Sequence, residues 1–315
     1  MTGAGGVHDG PDELVLRAAW LYHVDGMTQA EVASSLHVSR PTVGRFLERA
    51  RDRGFVRTEV SAEHLASFGL AARVKDEWGL DDCVVVPRSS LRIDDGHRNA
   101  RLASAAATFI RRFLHPETVV GVAWGDAVQR TLSALPPAAL DGVTLATLSG
   151  GIEHITQRIL STPALTARLR AVPAPLIVSR PEVAEALREE ASVKEVLTLA
   201  QGANITLTGI GTALPGSSAA RSGMLSDQQV SQFAASGAVG DMVGEFFTAT
   251  GEVLPATSDR RIGVTLEQMR DMPHVVGVAG GVDKANAIRG ALSGHYLNVL
   301  VTDEEAAEGL VKSAG

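Results

Sequence analysis

In the first sixty residues apolar side chains return every three or four positions, the spacing of helices with one buried face. Leu14, Ala18 and Leu21 share such a face, and Gly26 tolerates the positive φ of a helix stop. Thr28-Gln29-Ala30-Glu31 then has the form of a capping box: the Thr28 hydroxyl takes a backbone N–H and Glu31 reaches back to the Thr28 N–H. The short helix it opens carries Val32, Ala33 and Leu36. Ser39 is a second N-cap, Pro41 is tolerated in the turn that follows, and Val43, Phe46, Leu47 and Ala50 stand at i, i+3, i+4 and i+7. Gly54 closes this third helix. The alternation over residues 55–60 predicts a short strand, a small wing.

Beyond residue 60 the period changes. Short runs rich in Val and Ile, at 82–86, 119–124, 143–148, 175–178, 205–211, 274–279 and 297–301, alternate with helical stretches such as 99–114, 126–135, 181–187 and 283–292. Continuous apolar strands are buried on both faces, which predicts a parallel sheet with helices above and below. The expected fold is therefore α/β. A helix-turn-helix, winged-helix-like domain at 1–60 precedes a Rossmann-like parallel-sheet domain at 61–315. There is no internal repeat and no low-complexity segment.

Charge sharpens the picture of the amino-terminal domain. The chain is acidic overall, with a formal net charge of −7 over 315 residues, yet residues 40–57 hold six arginines against Glu48 and Asp52. Because the apolar residues of the third helix face inward, Arg40, Thr42, Arg45 and Arg49 are left outside, toward its amino end and one flank. Two short helices joined by a tight turn, the second presenting such residues, suit a major groove about 12 Å wide. Arg40, Thr42 and Arg45 are candidates for base or phosphate contacts, and Ser39 for a phosphate. Thr28, Gln29, Pro41 and Arg49 complete the candidate DNA-facing set. A three-helix packing unit with a solvated basic face is the plainer alternative, disfavoured by the two caps and the stripe occurring together.

Other chemistry is largely excluded. One cysteine, Cys83, allows no disulfide framework and no cysteine metal site. Neither G-x-G-x-x-G nor G-x-x-x-x-G-K-[ST] occurs, so no dinucleotide or ATP site is expected, and no cofactor or metal. The glycine-rich first ten residues do not read as a signal peptide, and no apolar run approaches the ~18–20 residues of a membrane span. The expectation is a cytoplasmic protein.

Several predicted strands end in glycine: Gly125, Gly150-Gly151, Gly209 with Gly211, and Gly280-Gly281. In an open α/β sheet ligands bind beyond the carboxyl ends of the strands, where glycines let backbone N–H groups approach them. Asp241, expected in a glycine-flanked loop, can accept sugar hydroxyls or simply cap the next element. Lys284, expected in a first helical turn beside a positive dipole end, suits a bound anion or is a solvated lysine.

These residues resemble, in order, the SorC-type sugar-binding regulators. The likeness runs from Thr28-Gln29-Ala30-Glu31-Val32-Ala33 and residues 38–47 and 50–56 to residues 121–125, 209–211, 237–241, 278–284 and 298–304. It implies a carboxyl-terminal domain like the phosphosugar isomerase and deaminase fold, a sugar, polyol or sugar-phosphate effector, operator double-stranded DNA as partner, and a homotetramer built as a dimer of dimers. By position it implies an effector pocket lined by Trp124, Gly125, Asp126, Gly150, Gly151, Asp241 and Lys284, to which Gly211 and His154 are added as candidates. One departure stands out. The family's loop after Trp-Gly usually carries a hydroxyl or a basic residue, whereas here Asp126 and Ala127 follow. A carboxylate there repels a phosphate, and a neutral sugar or polyol fits at least as well. The rival reading is a phosphosugar isomerase or deaminase with a DNA-binding appendage, with His154 as acid and Asp241 as base.

Overall fold

Among the described residues, three helices make up the first unit: α1 (Pro11–His23), α2 (Gln29–Ser35) and α3 (Arg40–Asp52). The computed structural model describes residues 11–56, 62–89, 94–151, 168–221, 225–255 and 259–311. The chain divides into two units, Met1–Ser61 and Ala62–Gly315. In the first, Val15, Ala18, Ala19, Val32, Ala33, Val43, Leu47 and Ala50 form the core. The expected face of α1 is rotated: Val15 and Ala19 are buried beside Ala18, while Leu14 and Leu21 are only half-buried. Small alanines let α1 lie close to its neighbours, which the larger leucines would prevent. The expected wing is absent from Phe55 and Val56, and residues 57–60 lie outside the described residues. Both N–H groups donate to the Ala50 carbonyl, at 2.9 and 3.2 Å, so these residues close α3 as a C-terminal turn around Gly54.

The second unit begins with α4 (Ala62–Trp78), β1 (Asp82–Val86), α5 (Asp95–Ile110), β2 (Val119–Val122), α6 (Asp126–Ala134), β3 (Thr144–Thr147) and β4 (Leu169–Arg170). It continues with α7 (Pro181–Glu189), α8 (Ala191–Gln201), β5 (Ile205–Gly209), β6 (Gly211–Thr212), α9 (Asp227–Ala235), β7 (Ala238–Met242) and β8 (Glu245–Thr248). It ends with α10 (Leu266–Arg270), β9 (Val275–Val278), α11 (Ala285–Ser293), β10 (Val299–Asp303) and α12 (Glu304–Val311). Seven strands make one parallel sheet in the order β1-β10-β9-β5-β2-β3-β4.

Successive residues of one strand feed opposite cores, as the period of two requires. Val299 and Val301 of β10 pack with Leu102, Ala106 and Leu132 from α5 and α6. Leu300 between them joins Val74, Ile288 and Leu310 from α4, α11 and α12. Burying each such side chain contributes about 1.5–3 kcal/mol. This double burial is why the strands read as unbroken apolar runs.

Two elements depart from expectation. Residues 175–178 stay out of the sheet, and Ile177 makes only an isolated bridge with Arg261. Pro173 and Pro175 cannot donate to a ladder, so the edge position is taken by β4, just before them. A second sheet, antiparallel in the order β6-β7-β8, was not anticipated. It carries Asp241 as a strand residue rather than a loop residue.

Candidate functional site

In the first unit the sequence places an arginine-bearing face. Arg40, Arg45 and Arg49 are exposed along α3, with Ser39 exposed and Thr42 half-buried beside them. The Thr28 capping box forms: the Thr28 N–H donates to Glu31 Oε2 at 2.8 Å and the Glu31 N–H to Thr28 Oγ1 at 3.3 Å. Thr28 is thereby engaged in holding α2, with Gln29 half-buried at its first position. Ser39 caps α3, its hydroxyl accepting the Thr42 N–H, and Pro41 sits in the first turn. The Ser39 and Thr42 hydroxyls lie 2.8 Å apart, and an Arg45 guanidinium N–H donates to Thr42 Oγ1 at 3.3 Å. These three side chains form a fixed polar row at the amino end of α3. Arg53, counted in the basic stripe, instead pairs with Asp12 and ties α3 to α1.

In the second unit the carboxyl ends of β2, β5 and β9 open into a cleft of about 610 Å³, a size suited to a small molecule. Trp124, Gly125, Asp126, Gly211, Asp241 and Lys284 all line it. Gly150 and Gly151 follow β3 but are not among its lining residues. Their N–H groups bond the carbonyls of Ile262 and Ala174, which spends them on packing loops together. His154 lies outside the described residues.

The floor of the cleft is Asp241, only 4 % exposed in β7. β7 pairs antiparallel with β6, which sets Gly211 opposite Asp241. A Cβ at position 211 would lie 2.0 Å from Asp241 Oδ1, so only glycine leaves room for this carboxylate. Past Asp241 the chain reverses through Val243 and Gly244, at φ +47° and +82°, the conformation of a two-residue hairpin turn. The Gly244 N–H bonds the Asp241 carboxylate. The strained Val243 is held by the fully buried Arg261, whose guanidinium donates to the Val243 carbonyl at 3.0 Å and faces Glu245 at 3.7 Å. Arg261 and Glu245 were not singled out by the sequence. Neither has a motif, and their role arises from contacts between distant segments.

Burial pushes the Asp241 carboxyl up to about 6, against the pull of Lys284 and the Gly244 N–H toward the charged form. Burial lowers the Lys284 ammonium, opposed by Asp241, Asp95 and Asp126. Lys284 donates to the Ile210 carbonyl at 2.9 Å, so it is not a freely solvated lysine. It closes a 3-10 turn, Val282–Lys284, that leads into α11. Asp126 opens α6, and its Oδ2 accepts from Arg130 Nε at 2.7 Å and Asn99 Nδ2 at 3.0 Å. Arg98 on the same wall meets Asp95, Asp303 and Glu305 at 2.5, 3.3 and 3.5 Å. Cys83 is buried, with its thiol pushed up to about 12, and is chemically inert. Among the described residues no group of three or more His, Cys, Asp or Glu side chains is placed to hold a metal, and no helix is long and apolar enough to cross a membrane.

Residues 63–312 match the family model described as a putative sugar-binding domain, and residues 12–57 match that of a homeodomain-like domain. The transcriptional regulator LsrR of Klebsiella pneumoniae is 35 % identical over 96 % of this chain and 94 % of its own. That of Escherichia coli K12 is 33 % identical over 96 % and 95 %. The full-length sorbitol operon regulator SorC of Klebsiella pneumoniae superimposes with a TM-score of 0.69 at 24 % identity, over 95 % of this chain and 99 % of that one. A DeoR family transcriptional regulator from Listeria monocytogenes gives 0.68 at 23 %, over 78 % and 99 %. At these identities the two structures speak for the fold, and the family rests on the domain model and the LsrR relatives. A homeodomain-like amino-terminal unit, a sugar-binding α/β unit and regulators similar over nearly their whole length converge on one assignment: the chain belongs to the family of SorC-type sugar-binding transcriptional regulators.

Proposed function

We propose that a sugar, polyol or sugar phosphate held in the cleft above β2, β5 and β9 controls how firmly α3 holds operator DNA. The observation that carries the DNA half is the exposed Ser39–Thr42–Arg45 row at the amino end of a capped helix, with Arg40 and Arg49 flanking it. The effector half is supported by a cleft that combines buried Asp241 and half-buried Lys284 with the indole of Trp124. The same reading places the protein in the cytoplasm and makes it a homotetramer, a dimer of dimers on paired half-sites. Exposed Leu16 and Trp20, one turn apart on α1, are apolar surface that a second copy could cover.

An enzyme on this fold would need an acid and a base beside its substrate. The acid of that reading, His154, lies outside the described residues, and the relatives that share nearly the whole chain are named regulators.

Arg45→Ala tests the DNA half. Binding to promoter fragments from beside the protein's own gene should weaken, and the slope of log affinity against log salt should flatten by about one ion. Thermal shifts with sugars should be unchanged. An unaltered affinity and salt slope would remove α3 from the groove.

A further inference from the structure

We propose that the effector carries no phosphate: the cleft is built for a neutral polyhydroxylated molecule, a sugar or polyol, and discriminates against its phosphorylated form. The inference deepens the proposed function and rests on it, since it concerns the ligand of the same cleft.

The first observation is the charge of the walls. Asp95, Asp126, Asp241, Asp283 and Glu305 face Arg98, Arg221 and Lys284, five carboxylates against three cations. The cations are also engaged already. Arg98 is held by Asp95, Asp303 and Glu305. Arg221 donates to the Gly216 carbonyl at 2.5 Å and to Ser218 Oγ at 3.4 Å. Lys284 donates to the Ile210 carbonyl. A phosphate, with nearly two negative charges at neutral pH, would come to rest among more carboxylates than cations, and the Arg98 guanidinium is already matched by three carboxylates.

The second observation concerns a helix start in the cleft, that of α6, which would ordinarily welcome an anion. α6 has nine residues and begins directly after Gly125, with no side chain capping it. The positive end of its dipole is met from within: Asp126 sits in the first turn, and its carboxylate is fixed by Arg130 and Asn99. An incoming phosphate would meet that carboxylate at close range.

The third observation is the hydrogen-bonding character of the lining. Ionised carboxylates only accept, so their natural partner is a ligand rich in O–H donors, which a phosphate oxygen cannot supply. The indole Nε1–H of Trp124, a residue that lines the cleft, is buried with no acceptor among the described residues, an orphaned donor beside the ligand space. Leu214 and Val282, 51 % and 67 % exposed, also line the cleft and offer apolar surface to the C–H face of a carbohydrate. Polar edges and an apolar face are what a sugar or polyol presents.

The test uses the full chain and a panel of pentoses, hexoses, pentitols and hexitols, each beside its terminal monophosphate. Melting temperature and the affinity for fragments of its own promoter are read in both arms. At least one neutral compound should raise the melting temperature, with its monophosphate binding at least about tenfold more weakly, the size of a one-unit like-charge effect. Asp126→Asn keeps the shape and removes the charge, and the monophosphate should regain about tenfold relative to its parent. A monophosphate that binds as tightly as its parent overturns the inference, as does a panel in which no neutral compound shifts the protein. An unchanged ratio in Asp126→Asn removes the role given to Asp126. A phosphosugar that releases DNA would sink this inference and leave the regulator standing. Failure to bind any promoter fragment would sink the regulator and leave the thermal comparison readable.

Discussion

Asp241 carries a measurable signature of its burial. Its carboxyl is raised from an ordinary 3.8 to about 6 in the fold, so the folded state holds a proton that the unfolded chain has already released. Its contribution to stability is full below pH 3.8, declines as pH rises from 3.8 to about 6, and is level above. Lys284 is the opposing charge that acts on it, with Asp95, Arg221 and Asp126 acting on Lys284 in turn. Denaturant titrations of the wild type and Asp241→Asn across this window should show the wild type's advantage shrinking with pH and then reaching a plateau. A difference independent of pH would mean that Asp241 is solvated. The sequence marked Asp241 and Lys284 as positions of interest, but it left a capping role open for the first and, slightly behind a bound anion, a solvated lysine for the second. Burial settles their surroundings, and burial depends on β6 and α11 closing over them.

The cleft depends on a pairing of elements as much as on side chains. β6 is two residues long, and its register with β7 puts Gly211 against Asp241 so closely that a methyl group has no place there. Gly211→Ala should force the carboxylate aside and abolish the thermal shift given by a neutral sugar that stabilises the wild type. Retention of the full shift would show that the hairpin yields easily. The parallel strands were legible because burial on both faces leaves unbroken apolar runs, and the caps of α2 and α3 were legible because capping is chemistry between neighbours in sequence. The β6-β7-β8 sheet was not. Its middle strand, Ala238-Val239-Gly240-Asp241-Met242, is interrupted by glycine and a carboxylate, which local propensity assigns to a loop.

The two units impose a thermodynamic condition on the whole chain. If an effector weakens operator binding by some factor, operator must weaken effector binding by the same factor, because the two form one cycle. Titrating a neutral sugar with and without saturating promoter DNA, and DNA with and without saturating sugar, should return equal ratios. Unequal ratios would show that a change of assembly state intervenes.

The linear order of residues was enough for the helix-turn-helix, its basic face, the parallel α/β unit and the glycine-marked strand ends. Each is written in period, capping or charge over a span of a few residues. The environment of the cleft was not so written. That Asp241 is a buried strand residue, that Gly150 and Gly151 serve packing, that Arg261 props up the Val243 turn and that Asp126 is already paired with Arg130 and Asn99 all follow from segments far apart in sequence meeting. Desolvation and pairing are properties of that meeting, and no local stretch of sequence contains them.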